Sequence, residues 1–175
     1  MGHVIPSERN TEFGAPWIDT AQFEIGQQEV AGKKANPRIL EYFAAGKYWG
    51  KDDTGGKNAW CGSFTAWVMS KHGFTPPANA FRALQWLNFG YPLSTPIYGA
   101  IGVKPRKGGG HVSFIVGQSE DGLSYYMLGG NQGDAVNVRK YPASVWTGFV
   151  SPLATNSGVA VPVYTGQAGA AGAEG

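Results

Sequence analysis

The order of patterns along the 175-residue chain predicts an α+β fold, with helices first and a small antiparallel sheet second. Two observations carry this. Before Pro92 apolar residues recur at helix-like intervals, whereas after it they fall into short runs broken by turns: "IYGAIGV", "HVSFIVG", "SYYML", "AVNVRKY" and "WTGFV". Two of those runs, 111–118 and 124–129, flank Glu120-Asp121-Gly122 and read as a hairpin.

Taken in order, Trp17, Ala21 and Ile25, with Asp19 and Thr20 as early polar residues, predict a first helix over about 17–28. Pro37 opens a second, carrying Ile39, Leu40, Tyr42 and Phe43 and ending near Gly46. The glycines and aspartates of "GKYWGKDDTGGKN" make a loop. Gly50 and Gly55 have the spacing of a phosphate-binding loop, but Gly56 stands where the lysine belongs and no apolar strand precedes it. A helix over 61–72 follows, with Phe64, Val68 and Met69 on one face, His72 in its last turn and Gly73 as the left-handed stop. Another short helix is expected over 80–87, and the remaining strands are expected to form an antiparallel meander. Residues 1–14 and the Gly/Ala-rich 154–175 read as flexible ends around one domain, 15–153.

Composition narrows the function classes. Fourteen Lys and Arg against twelve Asp and Glu give a net charge of +2, and the densest basic run, Lys104-Pro-Arg-Lys107, is too short for a nucleic-acid stripe. No run approaches a membrane span, and "MGHVIPSERN" has neither the basic nor the apolar region of a secretory signal. Synthesis as a soluble cytoplasmic product is therefore expected. One cysteine forms no internal disulfide.

That cysteine, Cys61 in "NAWCGSF", begins the predicted 61–72 helix, where free N–H groups and the macrodipole favour a thiolate. A buried free cysteine serving as a small hydrophobe is the commoner fate, and location alone leaves both readings open. A nucleophilic thiol needs a base. His3 lies in an irregular end and His72 suits a helix terminus, whereas His111 follows three glycines at the start of an apolar strand. A third group should hold the imidazole, and "MLGGNQGD" offers Asn131, Gln132 and Asp134 on the next strand; the alternative is a plain turn. Trp60 and Trp86 are candidates to line a groove, or else ordinary core residues. The chain has no H-x-x-x-H or C-x-x-C pair for zinc, and Ser63 lacks the nucleophile-elbow glycines, so neither a metal nor a serine hydrolase is expected.

Together "PW…E.G..E" (16–29), "NPRILEY" (36–42), "WC.SF..WV" (60–68), "WLN.G" (86–90), "GGHVSF.VG" (109–117) and "GGNQGD.V" (129–136) resemble the phage- and bacteria-associated cysteine amidases. These are similar to the CHAP domain, within the NlpC/P60 superfamily of papain-like peptidoglycan hydrolases. The resemblance covers about residues 15–152 and implies a papain-like fold with N-terminal helices packed on the sheet. It implies Cys61 as nucleophile, His111 as base and Asn131, with Gln132 as fallback, as the third residue. Substrate contacts at Trp60, Trp86 and Gly130 are the accompanying expectation, with no cofactor.

The implied reaction is hydrolysis of a cell-wall amide through a Cys61 thioester. The partner would be the peptidoglycan stem peptide, not nucleic acid or membrane. A monomeric phage lysin exported with a holin, or a secreted antibacterial toxin countered by an immunity protein, would fit. Many relatives carry "GD.V.F" before the histidine; this chain has "YGAIGVK" at 98–104, which removes an acid from near the cleft without touching the three catalytic positions.

Overall fold

The computed structural model describes residues 7–30, 35–47, 59–154, 158–166 and 168–170. Four α-helices, Ser7–Glu12 (α1), Trp17–Phe23 (α2), Pro37–Ala45 (α3) and Cys61–Lys71 (α4), precede the sheet, as the α+β reading predicts. The strands are Tyr91–Leu93 (β1), Ile101–Arg106 (β2), Gly109–Gln118 (β3), Ser124–Gly129 (β4), Asn137–Pro142 (β5), Gly148–Ser151 (β6) and Gly169–Ala170 (β7). Their order is β1-β6-β2-β3-β4-β5-β7; the first six pair antiparallel and β7 adds a two-residue parallel edge. The meander holds from β2 to β5, after which β6 returns to lie beside β2 instead of continuing outward.

The central helix α4 is buried along nearly its whole length and packs against α2, α3, β3 and β4. It stops as its sequence predicts, with Gly73 at φ +79°. Trp60, just before it, is fully buried, stacks on Tyr42 with ring centroids 5.8 Å apart, and donates its indole N–H to Glu29 Oε1 at 2.9 Å. Tyr42 in turn donates to Glu24 Oε1 at 2.7 Å, and Arg38 meets the same oxygen at 3.1 Å. These contacts fix the N-terminal end of α4 to α3 and to the segment after α2.

Three elements differ from expectation. Helix α2 ends at Phe23, short of residue 28, because Gly26 and Gln27 exchange main-chain hydrogen bonds with Val136 and Gln28 bridges Ala135. The expected helix over 80–87 is instead a 3₁₀ helix, Ala83–Asn88, with the Trp86 indole donating to Ala80 O at 2.8 Å. Within the irregular-looking start, Ser7–Glu12 is helical and Asn10 is fully buried. Its amide donates to Asp19 Oδ1 at 2.6 Å, while its carbonyl oxygen accepts from Tyr98 O–H at 2.7 Å. Residues 158–166 lie along the sheet: Val161 is buried and Tyr164 stacks on Tyr126 at 4.4 Å. The aspartate-rich loop 48–58, including the phosphate-loop look-alike, lies outside the described residues.

Gly62 allows the 80–81 segment to approach α4 closely: a Cβ there would sit 2.4 Å from Ala80 O and 2.8 Å from Phe81 O, both backbone. Gly62→Ala should destabilise the fold by about 2 kcal/mol, read as a lower urea midpoint at unchanged m-value. A second prediction concerns His72, whose Nε2 lies 2.7 Å from Thr20 Oγ1. Burial pushes its pKa down from the usual histidine range, against the opposing pull of Asp19. As pH falls below about 6.5, the unfolded state takes up a proton that the folded state resists, so stability should fall there. His72→Gln should flatten that acid-side slope in urea titrations.

Candidate active site

Cys61 occupies the first position of α4, and its N-cap residue Trp60 offers no side-chain oxygen to the first turn. The main-chain N–H groups of Cys61 and Gly62 are thereby left to act on the sulfur, joined by the N–H of Val112 on β3. The β3–β4 register begins only at Phe114, so β4 does not use the Val112 N–H. These three groups and the positive charge of Arg106 favour the thiolate, but burial outweighs them and pushes the Cys61 thiol above its ordinary range. The sulfur-bearing residue is only 2% exposed.

His111 immediately precedes Val112, so both predicted reacting residues are tied to the same end of β3, Cys61 through the Val112 N–H. Strand alternation turns them differently. The Val112 side chain joins the helix-side core with Cys61, whereas the His111 ring lies 6.0 Å from Tyr141 and 6.2 Å from Trp146 on the opposite face. His111 is fully buried.

Of the candidates for third residue, Gln132 makes the contact: its Oε1 lies 3.0 Å from His111 Nε2. Asn131 stands at φ +59°, a left-handed turn that brings its neighbour's amide under the imidazole. The Gln132 Nε2 donates to Met127 O at 3.1 Å, Asn137 O at 2.9 Å and Asn137 Oδ1 at 3.1 Å. An amide flip would set oxygen against three oxygens, so Oε1 must face the histidine. A carbonyl oxygen only accepts, so His111 Nε2 carries the proton. In the neutral ring Nδ1 is therefore the basic nitrogen.

Two further groups, absent from the sequence reading, complete this cluster. Ser113 Oγ donates to Gln132 Oε1 at 2.6 Å and lies 2.8 Å from His111 Nε2; Tyr141 O–H donates to Gln132 Oε1 at 3.2 Å and lies 3.5 Å from the same ring nitrogen. Ser113 was legible as the residue two positions on, hence on the His111 face of the strand. Tyr141 was not, since its approach depends on the β4–β5 pairing.

Trp60, Trp86 and Gly130, expected at the substrate, are core instead. Both indoles are fully buried with their N–H groups satisfied internally, and a Cβ on Gly130 would fall within 2.8 Å of Trp60 and Phe64 side-chain atoms. No group of three or more His, Cys, Asp or Glu able to hold a metal occurs among the described residues. No helix described is long and apolar enough to cross a membrane. Comparison with protein families, curated proteins and solved structures finds no match for this chain.

The burial of Cys61 has a direct readout. Iodoacetamide should alkylate the folded protein about tenfold or more slowly at pH 7.5 than the urea-unfolded chain, with a pH profile displaced upward from that of an exposed cysteine. Equal rates in the two states would contradict the protonated, enclosed thiol.

Proposed function

We propose that the protein is a papain-like cysteine hydrolase that cleaves an amide bond of bacterial peptidoglycan. The observation that supports this best is the Gln132 Oε1–His111 Nε2 contact at 3.0 Å, which leaves Nδ1 as the basic nitrogen on the residue next to Val112, whose N–H acts on the Cys61 sulfur. The substrate class rests on the resemblance of the motifs to the CHAP and NlpC/P60 amidases.

In the reaction His111 Nδ1 takes the thiol proton of Cys61, and the sulfur attacks the carbonyl carbon. The oxyanion is met by helix-start N–H groups, of which Cys61's own is the first. Collapse breaks the C–N bond, and the amine leaves with the proton from His111. Water, deprotonated by Nδ1, then attacks the thioester, releasing the carboxylic acid and regenerating the thiol. Gln132 keeps the proton on Nε2 throughout, with Ser113 and Tyr141 holding the amide in place. A protein of this activity acts in the cell wall, and whether as a lysin or a secreted toxin is a matter of its export route.

A second reading has one observation in its favour. A sulfur on a residue 2% exposed, with a raised pKa, is what a non-catalytic wall-binding module on the same scaffold would carry. The two readings part on one experiment. Under the hydrolase reading, Cys61→Ala and His111→Ala abolish muropeptide release from purified sacculi while circular dichroism stays native. Gln132→Ala lowers the rate by about 10²-fold or more. Asn131→Gly, which suits the left-handed backbone at that position, retains most activity. Pelleting with sacculi at full strength, with no release by the wild type, would favour the binding module.

A further inference from the structure

Antiparallel pairing gives the main-chain groups of successive β3 residues to alternate neighbours. Ile115 bonds toward β2: its N–H donates to Ala100 O at 2.9 Å and its C=O accepts from Gly99 N–H at 2.8 Å. The odd positions of this part of β3 therefore face β2, and the even positions Gly110, Val112 and Phe114 aim their N–H and C=O toward β4. Pro105, opposite Gly110, fits this parity, since it has no N–H to offer across the pair. On the β4 side Phe114 meets Leu128, but β4 ends at Gly129 and the chain turns away at Asn131. The Val112 N–H goes to the Cys61 sulfur. The N–H and C=O of Gly110, a buried residue, have no hydrogen-bond partner among the described residues. Buried main-chain groups without a partner are rare in folded proteins, and here the pair lies on the same strand edge as the contact to the thiol.

We infer that the 109–113 step of β3 is a docking edge for an extended peptide, one residue of which pairs with the Gly110 N–H and C=O and sets a neighbouring amide beside Cys61. The inference rests on the hydrolase reading for its reaction and deepens it: the substrate is recognised by its peptide main chain, as an added strand, and not by its glycan. Alternate main-chain pairs on a strand edge are about 6.8 Å apart, so the docked residue lies within about two residues of the scissile bond. Residues paired across neighbouring strands turn their side chains to the same face. A Cβ on Gly110 would fall 2.7 Å from Leu84 Cδ2, and Leu84 is itself 42% exposed. The docked residue therefore presents its side chain to Leu84, which selects a small apolar group. A stem peptide supplies both features, a run of amides and alanine methyls.

The test is amide hydrogen exchange, read by NMR on the isotope-labelled Cys61→Ala protein, with Cys61→Ser in its place should the first variant not fold. The probe is the muropeptide mixture cut from purified sacculi by a muramidase, and its cleavage by the wild type is followed in parallel. Saturating muropeptides should slow exchange of the Gly110 amide about tenfold or more. Glycan strands stripped of peptide should leave it unchanged; equal protection by them overturns main-chain recognition. Leu84→Asn should raise the muropeptide concentration for half-protection about fivefold, and an unchanged concentration overturns the apolar contact. Cleavage by the wild type with no change at Gly110 overturns the docking edge and leaves the hydrolase reading standing. Protection of Gly110 without cleavage supports the edge and overturns the hydrolase reading, and neither effect overturns both. Protection that grows with protein concentration alone assigns the edge to a second copy of the chain and overturns the peptide as its occupant.

Discussion

The site end of this molecule depends on one amide. Gln132 is held by its nitrogen to Met127 O and to two oxygens of Asn137, at the closing ends of β4 and β5. Asn137 returns a bond from its own amide nitrogen to Gln132 O at 2.7 Å. With the nitrogen committed, the oxygen has one direction left, toward His111, Ser113 and Tyr141. Secondary structure thereby determines a protonation state: strand ends orient an amide, the amide selects the imidazole tautomer, and the tautomer leaves Nδ1 as the basic ring nitrogen. The left-handed backbone at Asn131 and Asp134, both at φ +59°, tightens the loop enough for side chain and main chain to share these partners.

Against that ordered histidine stands a thiol that its surroundings do not activate at rest. Three main-chain N–H groups and one guanidinium stabilise the anion, yet desolvation is the larger effect. Catalytic cysteines are ordinarily reached by solvent and depressed in pKa. In the proposed hydrolysis the same N–H groups, outweighed with a neutral enclosed sulfur, would meet an oxyanion whose charge develops only during reaction. Under that proposal their contribution would grow in the transition state relative to the resting protein.

How far the sequence discloses this depends on the range of the interaction concerned. Cys61 at a helix start, Gly73 as its stop and the 111–118/124–129 hairpin are set within a few residues, and each is legible. The fully buried Asn10 is not, because its carbonyl partner Tyr98 lies 88 positions away. The burial of Trp60 and Trp86 follows from Glu29 and Tyr42 in one case and from the 80–86 turn in the other, neither visible as a periodicity. The preference for Gln132 over Asn131 turns on a backbone angle. A polar residue one strand after the histidine is a sequence-level signal, but which of two neighbours faces it is decided by φ +59° at the first.

Strand parity gives the arrangement its last constraint. Side chains of β3 alternate, so His111 and Ser113 share the Tyr141–Trp146 face while Val112 and Phe114 enter the helix-side core with Cys61. A thiol on the helix side reaches a histidine on the other face only around the end of a sheet, not through its middle. Such an end is present here: β3 pairs with β2 from Gly109, but with β4 only from Phe114, leaving a step of five residues, 109–113. Val112 N–H is available to the sulfur because that step exists. The stagger between two strands, and not the chemistry of either residue, is what lets the main-chain N–H next to His111 reach a helix-borne thiol.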